Sequence, residues 1–330
     1  MGNVHASAPK LEPDLPPSPP MGLNLPPLQT DISSSDSSSS KGIENPGTIE
    51  ELHKKCKDVF PSPFEGARLM VNKGLSNHFQ ISHTLHLSSG PSSGYRFGAT
   101  YVGTNQISQT EAYPVLLGDI DPSGNLNANI LLQPTDKCRF KFQAQSQNTK
   151  FQLTQYALDF RGKDYTSTVM CANPNVLTGT GVIVAHYLQS VTKNLALGAE
   201  LVYQRMGPQH GGQSAFTSLA ARYAGSDYTC SGTLGMTGVH LCYYQKASEQ
   251  LQLGVEFETS VRLMEAQASL GYQVDIPKAD LVFRGSVDTN WTVSAVLEKR
   301  LNPMPFTLGI GGMLNHKKND FRMGLSFIIG

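Results

Sequence analysis

The stretch Asn319-Asp-Phe-Arg-Met-Gly-Leu-Ser-Phe-Ile-Ile-Gly330 decides the fold. Phe321, Met323, Leu325, Phe327 and Ile329 alternate with Arg322, Gly324, Ser326 and Ile328. A period of two puts one apolar row on a single face of a strand. Nothing after it in the sequence would cover that row. The same alternation recurs upstream from about residue 76, without enough helix between to build a second layer. A sheet closed on itself, apolar face outward in lipid, satisfies this pattern. The expected class is all-β, a transmembrane barrel that closes at this strand.

Composition agrees. Of 330 residues only 16% are charged, net charge is zero and hydrophobic content is 39%. Soluble domains average about 25% charged. No apolar run approaches the roughly 20 residues a membrane helix needs, whereas alternating strands in a low-charge chain fit a barrel. A large soluble β-sandwich is the alternative class. A neutral chain gives no basis for nucleic-acid binding. The five cysteines are odd in number and form no C-x-x-C, so reduced thiols, no zinc site and no cofactor are expected. Residues 1–44 hold neither an apolar signal core nor an Arg-rich amphipathic presequence. A barrel without a cleaved signal points to an organelle outer membrane.

Three regions follow along the chain. Residues 1–44, rich in Pro and Ser, bury too little apolar surface to order and read as a disordered tail. Residues 45–75 form an N-terminal helical segment. Thr48 and Glu51 have capping-box spacing, Ile49, Leu52, Cys56 and Val59 share a face, and Pro61 stops the helix after about four turns. An amphipathic segment with a basic remainder (Lys54, Lys55, Lys57) lies either in the lumen or its mouth or on the membrane surface. Residues 76–330 are the barrel. Asn125–Leu132, Arg139–Gln145 and Leu251–Glu258 each set an apolar row against a polar one, and eighteen such runs are countable. Turn signals fall at Asp121–Gly124, Arg161–Asp164, Asn173–Asn175, Gly207-Pro208 and Asn302-Pro303. A barrel of about 18 strands leaves an aqueous channel.

Enzyme and metal motifs fail. Asp119-x-Asp121-x-Ser123-Gly124 opens like an EF-hand, but Ile130 stands where a bidentate Glu is required. Gly179-Thr-Gly181 lacks its third glycine and a following helix. His78 and His86 share a face with His83 opposite, wrong for a three-ligand site. The charges on the polar faces carry more. Arg96, Arg139, Lys141 and Arg161 fall in the first half, and Glu200, Glu256, Glu258, Asp275, Asp288 and Glu298 in the second, with Arg222, Arg284 and Arg322 among them. If these faces point inward, a basic sector opposes an acidic one. Charges in a pore with low-dielectric walls select what enters.

Long segments in order carry a family resemblance: Asn45-Pro-Gly-Thr48, Glu51-Leu-His-Lys-Lys-Cys-Lys-Asp-Val-Phe-Pro61, Val71-Asn-Lys-Gly-Leu-Ser-Asn-His-Phe79, Glu111-Ala-Tyr-Pro114, Val184-Ala-His-Tyr-Leu-Gln-Ser190, Gly254-Val-Glu-Phe-Glu258 and Asp288-Thr-Asn-Trp291. The chain resembles the channel-forming subunits of the protein translocase of the outer mitochondrial membrane, relatives of the voltage-dependent anion channels. Arg322, Gly324, Phe327 and Ile329 match the sorting signal of mitochondrial barrels. The resemblance implies nineteen strands, the first and last parallel, with a helix in the lumen. It further implies passage of unfolded precursors with basic presequences, which the acidic residues would draw in. Receptor and small helical subunits would sit outside the barrel, with homo-oligomerisation in the complex. A metabolite porin of the anion-channel type is the alternative. The Asn45–Phe79 block favours the translocase.

Overall fold

The computed structural model describes residues 45–89, 93–106, 112–147, 150–175, 179–206, 212–261 and 264–330. The Pro/Ser tail, Glu111 and the Gly207-Pro208 turn lie outside the described residues.

The strands run β1 Gly66–Gly74, β2 Phe79–Leu87, β3 Gly94–Gln106, β4 Ala112–Ile120, β5 Leu126–Thr135 and β6 Cys138–Gln147. Then come β7 Lys150–Arg161, β8 Tyr165–Asn175, β9 Thr180–Ser190, β10 Leu195–Arg205, β11 Gln213–Ala224 and β12 Tyr228–Gly235. The remainder are β13 Gly238–Lys246, β14 Leu251–Ser260, β15 Glu265–Ile276, β16 Leu281–Asp288, β17 Thr292–Arg300, β18 Phe306–Asn315 and β19 Asp320–Ile329. Each pairs antiparallel with its sequence neighbour, and β1 also pairs with β19, in parallel, from Gly66 opposite Gly324 to Val71 opposite Ile329. The sheet is therefore closed. Closure leaves no unpaired edge, which a spanning sheet requires because lipid offers no hydrogen bonds.

The two faces are identified by what they touch. A Cβ at Gly254 would meet the Cys56 carbonyl oxygen at 3.2 Å, so Gly254 faces the lumen. Alternation and register carry that assignment round the wall. Leu251, Leu253, Val255 and Phe257 point outward, as do Phe321, Met323 and Leu325, which are 66%, 54% and 50% exposed. Such a row is intolerable in water and expected in lipid. Outward aromatics ladder across neighbouring strands. Tyr165 and Tyr187 stack with centroids 5.9 Å apart, and Tyr228 stacks on both Tyr223 and Tyr243. All sit beside turns joining an odd strand to an even one, hence at one rim, where an aromatic belt meets the membrane surface.

The nineteenth strand is β1. The sequence places Gly66–Gly74 in the helical segment. The alternation in β1 is blurred, because Lys73 takes an outward position and Met70 an inward one. The barrel thus begins at Gly66, ten residues earlier than expected. Asn173–Asn175, expected as a turn, ends β8 as a bulge: pairing shifts between Ala172 and Asn175, and the Thr154 amide donates to Asn173 Oδ1.

The expected four-turn helix is also shorter. It consists of a 3-10 turn, Ile49–Glu51, and one α-helical turn, α1 Lys54–Lys57. The capping box does not form, and the Thr48 hydroxyl is buried without a partner. The apolar face holds nonetheless, with Ile49, Leu52, Cys56 and Val59 all buried. Ile49 and Leu52 pack with Leu188, Ala196 and Ala220 on the inner wall. A straight four-turn rod of ~20 Å would leave this curved surface. Breaking it into short turns keeps the face in contact.

The segment crosses the lumen. Asn45 Nδ2 donates to the carbonyls of Gly162 and Tyr165, fixing it at the β7–β8 turn. Further along, Cys56 lies against β13 and β14, Phe60 over Gly254 and Gly271, and Phe64 over Gly309 and Gly311. The chain then enters β1 at Gly66. The β1–β2 and β7–β8 turns both join odd to even strands, so they share a rim and β1 starts at the other one. Residues 45 to 66 form a diagonal strut from rim to rim.

Candidate functional site

The lumen wall holds the charges singled out in the sequence, and register decides which of them meet. Asp275 (β15) stands level with Val282 (β16) and Glu298 (β17). Glu256 (β14) stands level with Ser269 (β15) and Asp288 (β16), and Glu258 lies two residues further along β14. Five of the six acidic candidates therefore occupy four adjacent strands. Asp275 and Glu298 approach the Asn45 rim, and Glu258 and Asp288 approach the opposite one. Glu200, on β10, stands apart and meets His186 at 3.4 Å.

Within the arc the carboxylates differ in what they already hold. Glu256 Oε1 is 2.6 Å from His240 Nε2 and 3.9 Å from Lys57 Nζ of the strut. Glu298 is 3.8 Å from Arg284. Asp288 accepts from the Thr292 amide at 2.9 Å, and Asp275 from Gln273 at 2.9 Å. Glu258 is exposed to the lumen and has no hydrogen-bond or ion-pair partner among the described residues.

The basic candidates are less united. Arg139, Lys141 and Arg161 cluster on β6 and β7, while Arg96 is on β3. Lys141 donates to Glu50 of the strut at 3.1 Å and is also 3.1 Å from Asp159, which is fully buried. Asp159 faces Arg139 directly across the β6–β7 ladder. Sequence reading passed over Asp159, although it shares a face with Arg161 by simple alternation. Lys141 is thus held between two carboxylates, whereas Arg161 Nε is buried without a hydrogen-bond partner among the described residues.

Where the strut meets the arc, His53 sits against the wall with Nδ1 2.8 Å from Ser231 Oγ. Burial, and then the nearby His240 and Lys57, push its pKa down to about 4, so the ring is neutral near pH 7.

A polar interior behind a lipid-facing exterior describes a channel, and comparison with known proteins says which kind. The eukaryotic porin family model matches residues 45–324. Mitochondrial import receptor subunit TOM40 homolog 2 of Drosophila melanogaster is 52% identical over the full length of both chains. The chain belongs to the eukaryotic porin family, among the TOM40 homologues. The Xenopus tropicalis homologue is 49% identical over the full length of both chains, and the Homo sapiens homologue 52% identical over 87% of this chain and 79% of its own. Among solved structures, a mutant of Rh. blastica porin matches with a TM-score of 0.45 at 11% identity, over 69% of this chain and 94% of that one.

The four residues singled out in the last strand divide between the two faces at the closing seam. Arg322 and Gly324 point inward and Phe327 and Ile329 outward, with Phe327 packed on Phe306 at 5.4 Å. A Cβ at Gly324 would overlap the backbone of Phe64, where the strut turns into β1. Only glycine lets the two backbones approach so closely. Arg322 reaches Asp320 at 3.0 Å and Glu65 at 3.8 Å, tying the last strand to the entry of the first.

Proposed function

We infer that this chain is the protein-conducting channel through which precursor proteins enter mitochondria, a multi-pass β-barrel of the outer membrane within the TOM translocase. Identity near 50% to TOM40 homologues over the whole chain carries this reading and sets it above the anion-channel alternative. The fold supports it: nineteen closed strands put wetted side chains around an interior. The family is one of channels, and the chain acts as a channel rather than an enzyme.

The finer reading concerns the acidic arc. Basic presequences approach Glu258 and its neighbours Asp288, Asp275 and Glu298, which are distributed along the depth of the wall, and Glu256 takes part once Lys57 is displaced. Exposed pairs of this kind are worth about 0–1 kcal/mol each. Such weak sites in series bind a passing chain without trapping it. Outside the barrel, the lipid-facing surface takes the receptor and small helical subunits, and a second copy of this chain. The place of Arg322, Gly324, Phe327 and Ile329 at the seam, the edge where the barrel closes, supports a sorting role for them.

The test is reconstitution of the full chain in planar bilayers. Cation preference, and block by a basic amphipathic peptide but not by its acidic counterpart, are the expected results. An anion-selective pore indifferent to the basic peptide would restore the metabolite-porin alternative.

A further inference from the structure

The strut and the wall place a set of soft donors together that neither channel function nor packing explains. The donor atoms of His53, His240 and Cys242 all lie within 4.8 Å of one another. His53 comes from the strut, and the other two from β13, where the spacing of two residues points both side chains into the lumen. The imidazole rings of His53 and His240 lie 4.2 Å apart, tilted by 49°. Cys242 Sγ is 3.4 Å from His240 Nε2.

His53 gives the cluster its direction. Its Nδ1 is held by Ser231, while its Nε2 is buried with no hydrogen-bond partner. A buried nitrogen left unpaired is destabilising, so it needs a reason. An imidazole anchored through one nitrogen, with the other turned to a shared centre, is how proteins present a histidine to a metal. Glu256 Oε1 lies 2.6 Å from His240 Nε2, at the edge of the cluster.

We propose that His53, His240 and Cys242 bind a zinc-class divalent cation that pins the strut to the inner wall. Two imidazoles and a thiolate match that class, whereas magnesium and calcium take oxygen ligands. Bonds of about 2.0–2.3 Å put donors roughly 3.5 Å apart in a tetrahedral site. The three atoms need draw in by only about 1.3 Å from their widest separation. On binding, the Cys242 S–H bond breaks, the sulfur's electron pair goes to the metal and the proton leaves to solvent. The proton that His240 Nε2 donates to Glu256 moves through solvent to the other ring nitrogen, which frees Nε2 for the metal, and Glu256 stays beside Lys57. The cysteine count missed the site because its members are 187 and 189 residues apart in sequence. The inference does not depend on what the channel conducts.

Cobalt and zinc binding to the full chain in detergent, under reducing conditions, tests it. We expect one tightly held ion per chain and a thiolate-to-cobalt charge-transfer band that zinc abolishes. Cys242→Ser should remove the band. Ser231→Ala, which keeps every ligand and releases only the His53 anchor, should weaken zinc binding about 10- to 100-fold. Zinc should also raise the thermal midpoint of the wild type more than that of Cys242→Ser. A cobalt complex of the wild type without the charge-transfer band, or zinc affinity unchanged in both variants, would overturn the proposal.

Discussion

The basic corner on β6 and β7 and the acidic arc on β14 to β17 carry comparable numbers of charges and do different things with them. In the corner, Lys141 lies between Glu50 and a fully buried Asp159. Lys141 fastens the strut there through Glu50. In the arc, contacts weaken from Glu256, held by His240 and Lys57, through Glu298 at 3.8 Å from Arg284, to an open Glu258. A lumen charge is therefore informative only once its partners are known. The first region fastens the strut to the wall, and the second leaves a carboxylate open to the lumen.

The contrast is most exposed to failure at Lys141. Lys141→Met should destabilise the barrel by about 3–5 kcal/mol, because it leaves buried Asp159 without its ammonium partner. The thermal midpoint by circular dichroism in detergent reads this out, and adding Asp159→Asn should recover most of the loss. An unchanged midpoint would mean that the corner is not structural. Next in size is Glu258→Lys. We expect a clear fall in cation preference and in block by a basic peptide, with stability altered by less than about 0.5 kcal/mol, as for an exposed position. Equal peptide block in mutant and wild type would remove the acidic arc from the mechanism. Glu256→Gln should shift selectivity less than Glu258→Gln, since His240 and Lys57 already offset it. The smallest effect belongs to Glu200→Gln, outside the arc and beside His186. If single-channel selectivity ranked these three glutamates otherwise, partner contacts would not govern the open charge.

Much of this was legible in the chain. Alternation alone located β2 to β19 and put every singled-out charge on the face that proves to be the lumen, because a period of two is fixed by backbone geometry. β1 was hidden by Lys73 and Met70 on the faces opposite to those their polarity suggests. The capping box misled because Thr48 and Glu51 have the spacing without the geometry. The inner wall claims the apolar face of Ile49 and Leu52 and breaks the helix to follow its curve. Pairings such as Lys141 with Glu50, 91 residues apart, and the His53–His240 contact depend on the strut's path across the lumen. No local pattern encodes that path. Asp159 is the exception, since its parity with Arg161 was there to be read.

An odd number of strands has one last consequence. After nineteen crossings the chain finishes on the side where the strut began: Gly330 donates its amide to Pro305, in a turn at the rim that Asn45 also occupies. An even-numbered cylinder starting from the same β1 would send its carboxyl end to the other compartment. Labels attached near residues 45 and 330 would thus report on the same aqueous space, leaving the opposite opening bordered by loops and the mouth of β1.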